Sequence, residues 1–531
     1  MATLSARAGQ ALRWGTLTLL ARIGLQLVAQ VLLARLLGPE SYGVYALGLA
    51  LLTFAGFLAG NGFAYGLLLR PHIDDDDIRL AFTWQVSAGL ACAAAMVVGA
   101  PALAAFFRAP DLAPTLQWMA IACLCSACAG TALALMQRAI DQRRQGLLQL
   151  AAYALGYLGV GLPLALAGWQ AQALAAACAT QAVATLGLAL WLRPHPLRPL
   201  WRGRGRAQTL DTGGRVFITN LVNWLAANLD RLIIGRYLQA HAVGLYALAW
   251  NLAQVPVTLL VGAAQPALLA AGTQLRGRGA RNGTPATEGA STVLPPLNPQ
   301  ALRRLAGAWE MAMASAATLL PGAALCLALL APDLVILLYG PAWQDSGALL
   351  AVMLLCLPAW TAWALATPVL WHAGRSHLEA GLQLPLLALA LPLWIVTALF
   401  GERVFGGSLL PVALLSALLL HARAWRTVRA ALACLGRPAA RLTPATGRGL
   451  LLASACALAL QAGRELSQAL APLLLPAAWV DAPAAFAALR LFGGGAAALA
   501  AGGGLLAWRP TLLGPQALAL LRRTRVAEGR S

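Results

Sequence analysis

The chain is 531 residues long, 60% hydrophobic and only 11% charged, where a soluble domain carries about 25% charged residues. That composition excludes a string of soluble domains. The formal net charge of +20, with every basic side chain an Arg, would point to nucleic acid in a soluble protein. Here the arginines fall between apolar runs, so they orient membrane spans and no nucleic-acid partner is expected.

Apolar segments of about twenty residues, the length that a bilayer core demands of a helix, recur along the whole chain. In order they cover residues 12–36, 44–68, 81–106, 115–137, 147–167, 171–192, 216–238, 245–271, 308–330, 347–370, 378–400, 408–421, 449–472 and 484–508. The prediction is an all-α polytopic membrane protein of about fourteen spans. The first run is longer than the roughly fifteen apolar residues of a signal peptide, so it reads as a retained span. The twelfth span is short, and Arg464 and Glu465 interrupt the thirteenth.

The connections alternate in charge. Arg70 and Arg79, Arg138 to Arg144, Arg193 to Arg206, Arg276 to Arg304, Arg375, Arg423 to Arg448, and the tail with Arg522, Arg523 and Arg525 fall in one set. The other set, including residues 38–43, 168–170, 239–243 and 339–346, is almost free of Arg, with Arg108 and Arg403 the main exceptions. The positive-inside rule then places both termini and the Arg-rich loops in the cytoplasm of a multi-pass inner-membrane protein. The Gly/Pro/Thr/Asn-rich stretch 277–299 reads as a flexible cytoplasmic linker. Residues 425–435, with Arg426 and Arg429 beside Val428 and Leu432, read as a helix on the membrane surface.

Nothing along the chain assembles a catalytic or metal centre. The Cys123, Cys125 and Cys128 cluster has no His or carboxylate beside it and reads as packing. Asp74 to Asp77 read as a solvated cytoplasmic loop, and His72 and His241 are isolated loop residues. No catalytic residue, metal or cofactor is expected.

An internal repeat organises the chain. Ala34-Arg35-Leu36-Leu37 leads to Gly43-Val44-Tyr45-Ala46-Leu47, and 201 positions later Gly235-Arg236-Tyr237-Leu238 leads to Gly244-Leu245-Tyr246-Ala247-Leu248. Both copies sit at the turn into the next span, six spans apart, so they are parallel repeats. Leu33-Ala34-Arg35-Leu36-Leu37-Gly38-Pro39-Glu40-Ser41-Tyr42-Gly43-Val44-Tyr45 resembles the first-span signature of polysaccharide flippases. So does Asn228-Leu229-Asp230-Arg231-Leu232-Ile233-Ile234-Gly235, followed by Gly244-Leu245-Tyr246. This is the oligosaccharide flippase family of the multidrug/oligosaccharidyl-lipid/polysaccharide exporter superfamily, and the likeness covers about the first 270 residues. It implies two six-helix lobes around a central cavity, residues 1–205 and 206–425 (the latter with a linker at 273–304). Residues 426–531 then hold the amphipathic segment, two extra spans and a basic tail.

Ionisable and amide side chains inside spans are candidates for function. Arg22, Gln26 and Gln30 stand four apart, on one helix face. On the seventh span Asn220 and Asn223 share a face and Asn228 and Arg231 a neighbouring one; the repeat pairs Arg22 with Asn223 and Gln30 with Arg231. Helix-to-helix hydrogen bonding is the competing explanation for the amides. Arg35 and Arg236, at span ends, are explained by snorkelling to the interface. An arginine fork suits an anionic diphosphate, so the resemblance implies a flippase for polyprenyl-diphosphate-linked oligosaccharides. Its partners would be that lipid, the membrane lipids and polysaccharide polymerase or export machinery. A multidrug exporter is the alternative, disfavoured because the first span has no carboxylate before Glu40. A membrane polymerase or glycosyltransferase is less favoured still, for want of a catalytic constellation.

Overall fold

The computed structural model describes residues 2–69, 73–139, 141–201, 206–280, 299–375, 377–405, 409–438, 443–474 and 482–513. The described residues are helical with short connections and contain no strand. The helices are α1 (Ala2–Leu69), α2 (Asp75–Phe107), α3 (Leu112–Arg138), α4 (Gln142–Tyr153), α5 (Leu162–Leu166), α6 (Gln170–Leu192) and α7 (Arg206–Ala280). A π-helical segment, Ala154–Gly161, joins α4 to α5 without a break. Then follow α8 (Pro299–Tyr339), α9 (Ser346–Leu354), α10 (Leu357–His372), α11 (His377–Phe405), α12 (Leu410–Leu435), α13 (Thr443–Leu474) and α14 (Pro483–Trp508).

Ten of these are long and apolar enough to cross a bilayer, or eleven if α9 and α10, bent by 43°, form one span. The expected fourteen differs from that count at three places. α1 and α7 each hold two predicted spans joined across a kink, and α12 is not among the helices apolar enough to cross.

The breaks in α1 and α7 show the repeat in the backbone. α1 leaves helical geometry at Gly38 (φ 72°, ψ 175°) and α7 at Gln239 (φ 66°, ψ 178°). The two sites are 201 positions apart, the spacing that the sequence motifs have. A single residue in the left-handed region turns each helix, and only Gly adopts that conformation without strain. The second copy holds it with Gln.

The chain divides into two compact units, Met1–Ala247 and Leu248–Ser531, with the boundary inside α7. In the first, α2, α3 and α6 pack on α1, and Ala132, Met136, Leu148 and Ala189 form a small core. In the second, Trp309 and Met313 of α8 pack against Leu365 and Val369 of α10 and Val428, Ala431, Leu432 and Leu435 of α12.

Several expectations change. Residues 425–435 are not a separate surface helix but the second half of α12, whose Thr427, Val428, Ala431 and Leu432 are buried. Arg426 and Arg429 made that half look interfacial, yet they occupy the opposite face. α13 runs unbroken through Arg464 and Glu465. Asp75, Asp76 and Asp77 form the first turn of α2 rather than a loop, where negative charge suits the helix dipole; Asp76 also pairs with Arg79 at 3.2 Å. The Arg193–Trp201 segment lies along the start of α2: Leu200 N–H donates to Thr83 Oγ1 (2.8 Å) and Arg79 to the Arg198 carbonyl (3.1 Å). Residues 281–298, most of the expected linker, lie outside the described residues, with helix continuing to Ala280 and resuming at Pro299. Arg70, His72 and the tail arginines lie outside them too.

Candidate functional site

The stripe on α1 is half-buried at all three positions, Arg22, Gln26 and Gln30. Arg22 Nη1 donates to Gln149 Oε1 of α4 at 2.6 Å. Gln30 Nε2 donates to the Tyr42 hydroxyl at 3.3 Å, across the Gly38 break from its own helix arm. Gln26, between them, makes no side-chain hydrogen bond among the described residues.

Beside this stripe lies a tyrosine cluster that sequence reasoning missed. Tyr153 and Tyr157, four residues apart, stack with ring centres 4.4 Å apart. Tyr157 and Tyr45 share a hydroxyl–hydroxyl bond of 2.5 Å, and Tyr42 lies 6.3 Å from Tyr45. The π-helical segment begins between Tyr153 and Tyr157, and such bulges recur at functional sites. Its Gly156 lies so close to the Ala177 carbonyl of α6 that a Cβ would stand 2.5 Å from it. The spacing of the two tyrosines was the available signal; Gln149 in an otherwise apolar span was the other.

Together Arg22, Gln149, Gln26, Gln30 and Tyr42 present a guanidinium, three amides and a phenol along one side of α1. Guanidinium matches phosphate oxygens, while amides and phenols exchange hydrogen bonds with hydroxyls.

On the first arm of α7, Asp230 is buried and accepts a 2.5 Å hydrogen bond from the Tyr246 hydroxyl, while its other oxygen accepts the Arg231 amide at 2.8 Å. Arg231 is half-buried. Asn228 bonds back to the Trp224 carbonyl (3.0 Å), so that amide serves its own helix. Trp224 donates to Thr53 at 3.1 Å and packs on Phe54 at 4.7 Å, joining α7 to the second arm of α1. Asn223 is half-buried, and the side chain of Asn220 lies outside the described residues. Arg236 lies over the Phe106 ring at 5.0 Å, a packing role beyond snorkelling.

The two repeat corners touch. A Cβ on Gly43 would fall on the Ala240 carbonyl oxygen, and a Cβ on Gly244 on that of Pro39. Pro39 and Ala240 are themselves repeat equivalents, so the contact is a two-fold exchange of glycine against carbonyl. Tyr45 and Tyr246, also equivalent, are both buried and hydrogen-bonded but to different partners. A cavity of about 290 Å³ lined by Asp111, Gly168, Trp169, Gln170, Ala171 and Gln172 contains none of the stripe residues.

Comparison with known proteins locates this arrangement. Residues 32–281 match the family described as polysaccharide biosynthesis protein. Lipopolysaccharide biosynthesis protein WzxC of Escherichia coli (strain K12) is 24% identical over 249 residues, 46% of this chain and 50% of that protein. Succinoglycan biosynthesis transport protein ExoT of Rhizobium meliloti (strain 1021) is 25% identical over 251 residues, 47% of this chain and 50% of that one. The chain thus spans about half the length of the curated relatives it matches. The structure of the lipid II flippase MurJ in an inward closed conformation superposes with a TM-score of 0.55 at 10% identity, covering 91% of this chain and 98% of that one. That likeness shows the fold alone. Residues 32–281 are thus similar to the polysaccharide biosynthesis protein family, in a chain whose all-α polytopic fold resembles that of the MurJ structure.

Proposed function

We propose that the protein is a transporter, not an enzyme, that flips polyprenyl-diphosphate-linked oligosaccharide units from the cytoplasmic to the outer face of the inner membrane by alternating access. The observation that carries this reading is Arg22, held at 2.6 Å by Gln149 on a face shared with Gln26 and Gln30. A guanidinium inside a span needs a partner or water. The neutral amide that orients Arg22 leaves its charge uncancelled, and a diphosphate supplies the missing charge. Gln26, Gln30 and the tyrosines stand where sugar hydroxyls would follow. Asn220, Asn223 and Arg231 are the candidates for the same role in the second repeat, with residues 206–425 as a second lobe after 1–205. The names of the relatives, in lipopolysaccharide and succinoglycan biosynthesis, support the substrate class. Polysaccharide polymerase and export machinery are the partners that would receive the product.

Arg22→Ala and Arg22→Lys test the assignment, expressed in cells whose own copy is deleted, with protein abundance measured beside exported polysaccharide. Arg22→Ala should reach normal abundance and export about a tenth or less of the wild-type amount. Arg22→Lys keeps the charge without the planar fork and should fall between. Wild-type export from normally abundant Arg22→Ala would remove the anion site.

A further inference from the structure

The second unit contains a charge cluster far from the α1 stripe in sequence and built from three helices. Asp333 of α8 is 1% exposed; its Oδ1 lies 2.6 Å from Arg490 Nη2 of α14 and its Oδ2 2.9 Å from Arg464 Nη2 of α13. Arg464 Nη1 also donates to the Leu329 carbonyl at 2.9 Å. The stem of Arg464 crosses Gly494, where an added Cβ would stand 2.8 Å from its Cγ. Gly463 faces Ala497 and Gly493 in the same seam, so small residues bring α13 and α14 together and open the passage for Arg464.

Among the described residues the cluster does not balance. Two guanidinium groups face one carboxylate, which leaves one positive charge, and each guanidinium has five N–H donors to satisfy. Arg490 Nε has no hydrogen-bond partner among the described residues. While the carboxylate is enclosed, the arginine side chains remain 18% and 25% exposed. The arginines share the packed faces of α13 and α14, turned to α8, and the opposite faces are apolar and open, with Leu466 62% exposed, Phe492 76% and Leu499 80%, as expected of faces turned to lipid. Asp333 lies six residues before the end of α8 at Tyr339 and Arg490 seven after the start of α14 at Pro483. At 1.5 Å per residue both are about 10 Å from those helix ends, within reach of a headgroup.

We propose that Arg464 and Arg490 form a binding site for the phosphate of an anionic lipid at the partly exposed seam where α8, α13 and α14 meet. Asp333 positions the two guanidinium groups and at the same time competes with the phosphate for them. The site goes beyond the flipping reading and does not depend on it, because a phospholipid phosphate and a polyprenyl diphosphate offer the same acceptor oxygens.

The two roles of Asp333 give the test. Full-length protein is delipidated and titrated, by native mass spectrometry, with phosphatidylglycerol, phosphatidylcholine and undecaprenyl diphosphate. Wild-type protein should retain an anionic lipid over phosphatidylcholine, and Arg490→Gln should weaken that retention about tenfold. The control Arg509→Gln should leave it unchanged. Asp333→Asn should tighten anionic-lipid binding severalfold while lowering thermal stability. Should Arg490→Gln fail to fold, Arg490→Lys keeps the charge and should give an intermediate loss. Whichever anionic lipid binds tenfold better identifies the source of the phosphate. Equal retention by wild type and a folded Arg490 variant, or weaker binding by folded Asp333→Asn, would reduce the cluster to a structural clamp and overturn the proposal.

Discussion

Adding one methyl group at each repeat corner, in Gly43→Ala/Gly244→Ala, should drive the two corners apart. Each new Cβ would stand far inside contact distance of a backbone carbonyl oxygen, that of Ala240 for one and of Pro39 for the other. No rotamer change relieves such a clash, because the obstructing atoms are backbone. Overpacking of this kind costs about 1–3 kcal/mol, and the two corners share their contact, so the costs do not simply add. If transport alternates between a state with the corners joined and one with them separated, that energy falls only on the joined state. A penalty of about 1–3 kcal/mol then shifts the population roughly 5- to 150-fold toward separation. Spin labels at Glu40 and His241, both exposed and equivalent in the repeat, would report it by double electron–electron resonance in a cysteine-free background. The wild type should show a short, narrow distance distribution, and the double variant a longer one in the folded protein. An unchanged distribution would refute the reasoning, since the corner would then accept two side chains without opening.

Three other outcomes follow from separate features. Gln239 holds the left-handed conformation that Gly38 holds in the first repeat, so Gln239→Gly should stabilise the protein by about 1 kcal/mol and Gly38→Ala destabilise it by a similar amount, read as opposite shifts of the melting temperature. Reporter fusions truncated after Gln239 and after Gly283 should report opposite sides of the membrane, the second cytoplasmic, because of the Arg distribution. Gly156→Leu should lower thermal stability by about 1–3 kcal/mol by pushing the π-helical segment off α6.

Much of the architecture was legible in the sequence because a bilayer demands long apolar segments and tolerates few exceptions. The repeat spacing of 201 was legible as well, and the backbone breaks at Gly38 and Gln239 keep it. What escaped depends on partners distant in the chain. Arg464 looked like an interruption because its carboxylate, Asp333, is 131 positions away and lay just beyond the predicted ninth span. Arg22 had no visible partner because Gln149, 127 positions on, carries no charge to attract notice. The amphipathic half of α12 could not be told from a surface helix by periodicity alone, since a buried face against Trp309 and Leu365 produces the same pattern as one against lipid. The π-helical turn at Ala154–Gly161 leaves no periodic signature over eight residues.

The central claim is that this chain carries a lipid-linked sugar diphosphate across the bilayer, and one reconstitution tests it most directly. Purified protein is placed in vesicles with a fluorescent undecaprenyl-diphosphate oligosaccharide in both leaflets, and a membrane-impermeant enzyme that cleaves the glycan is added outside. Without protein, about half of the lipid should be cleaved. With wild-type protein the cleaved fraction should rise toward completion, and with folded Arg22→Ala it should stay near half. Cleavage that remains at half with active, correctly inserted wild-type protein would contradict the account.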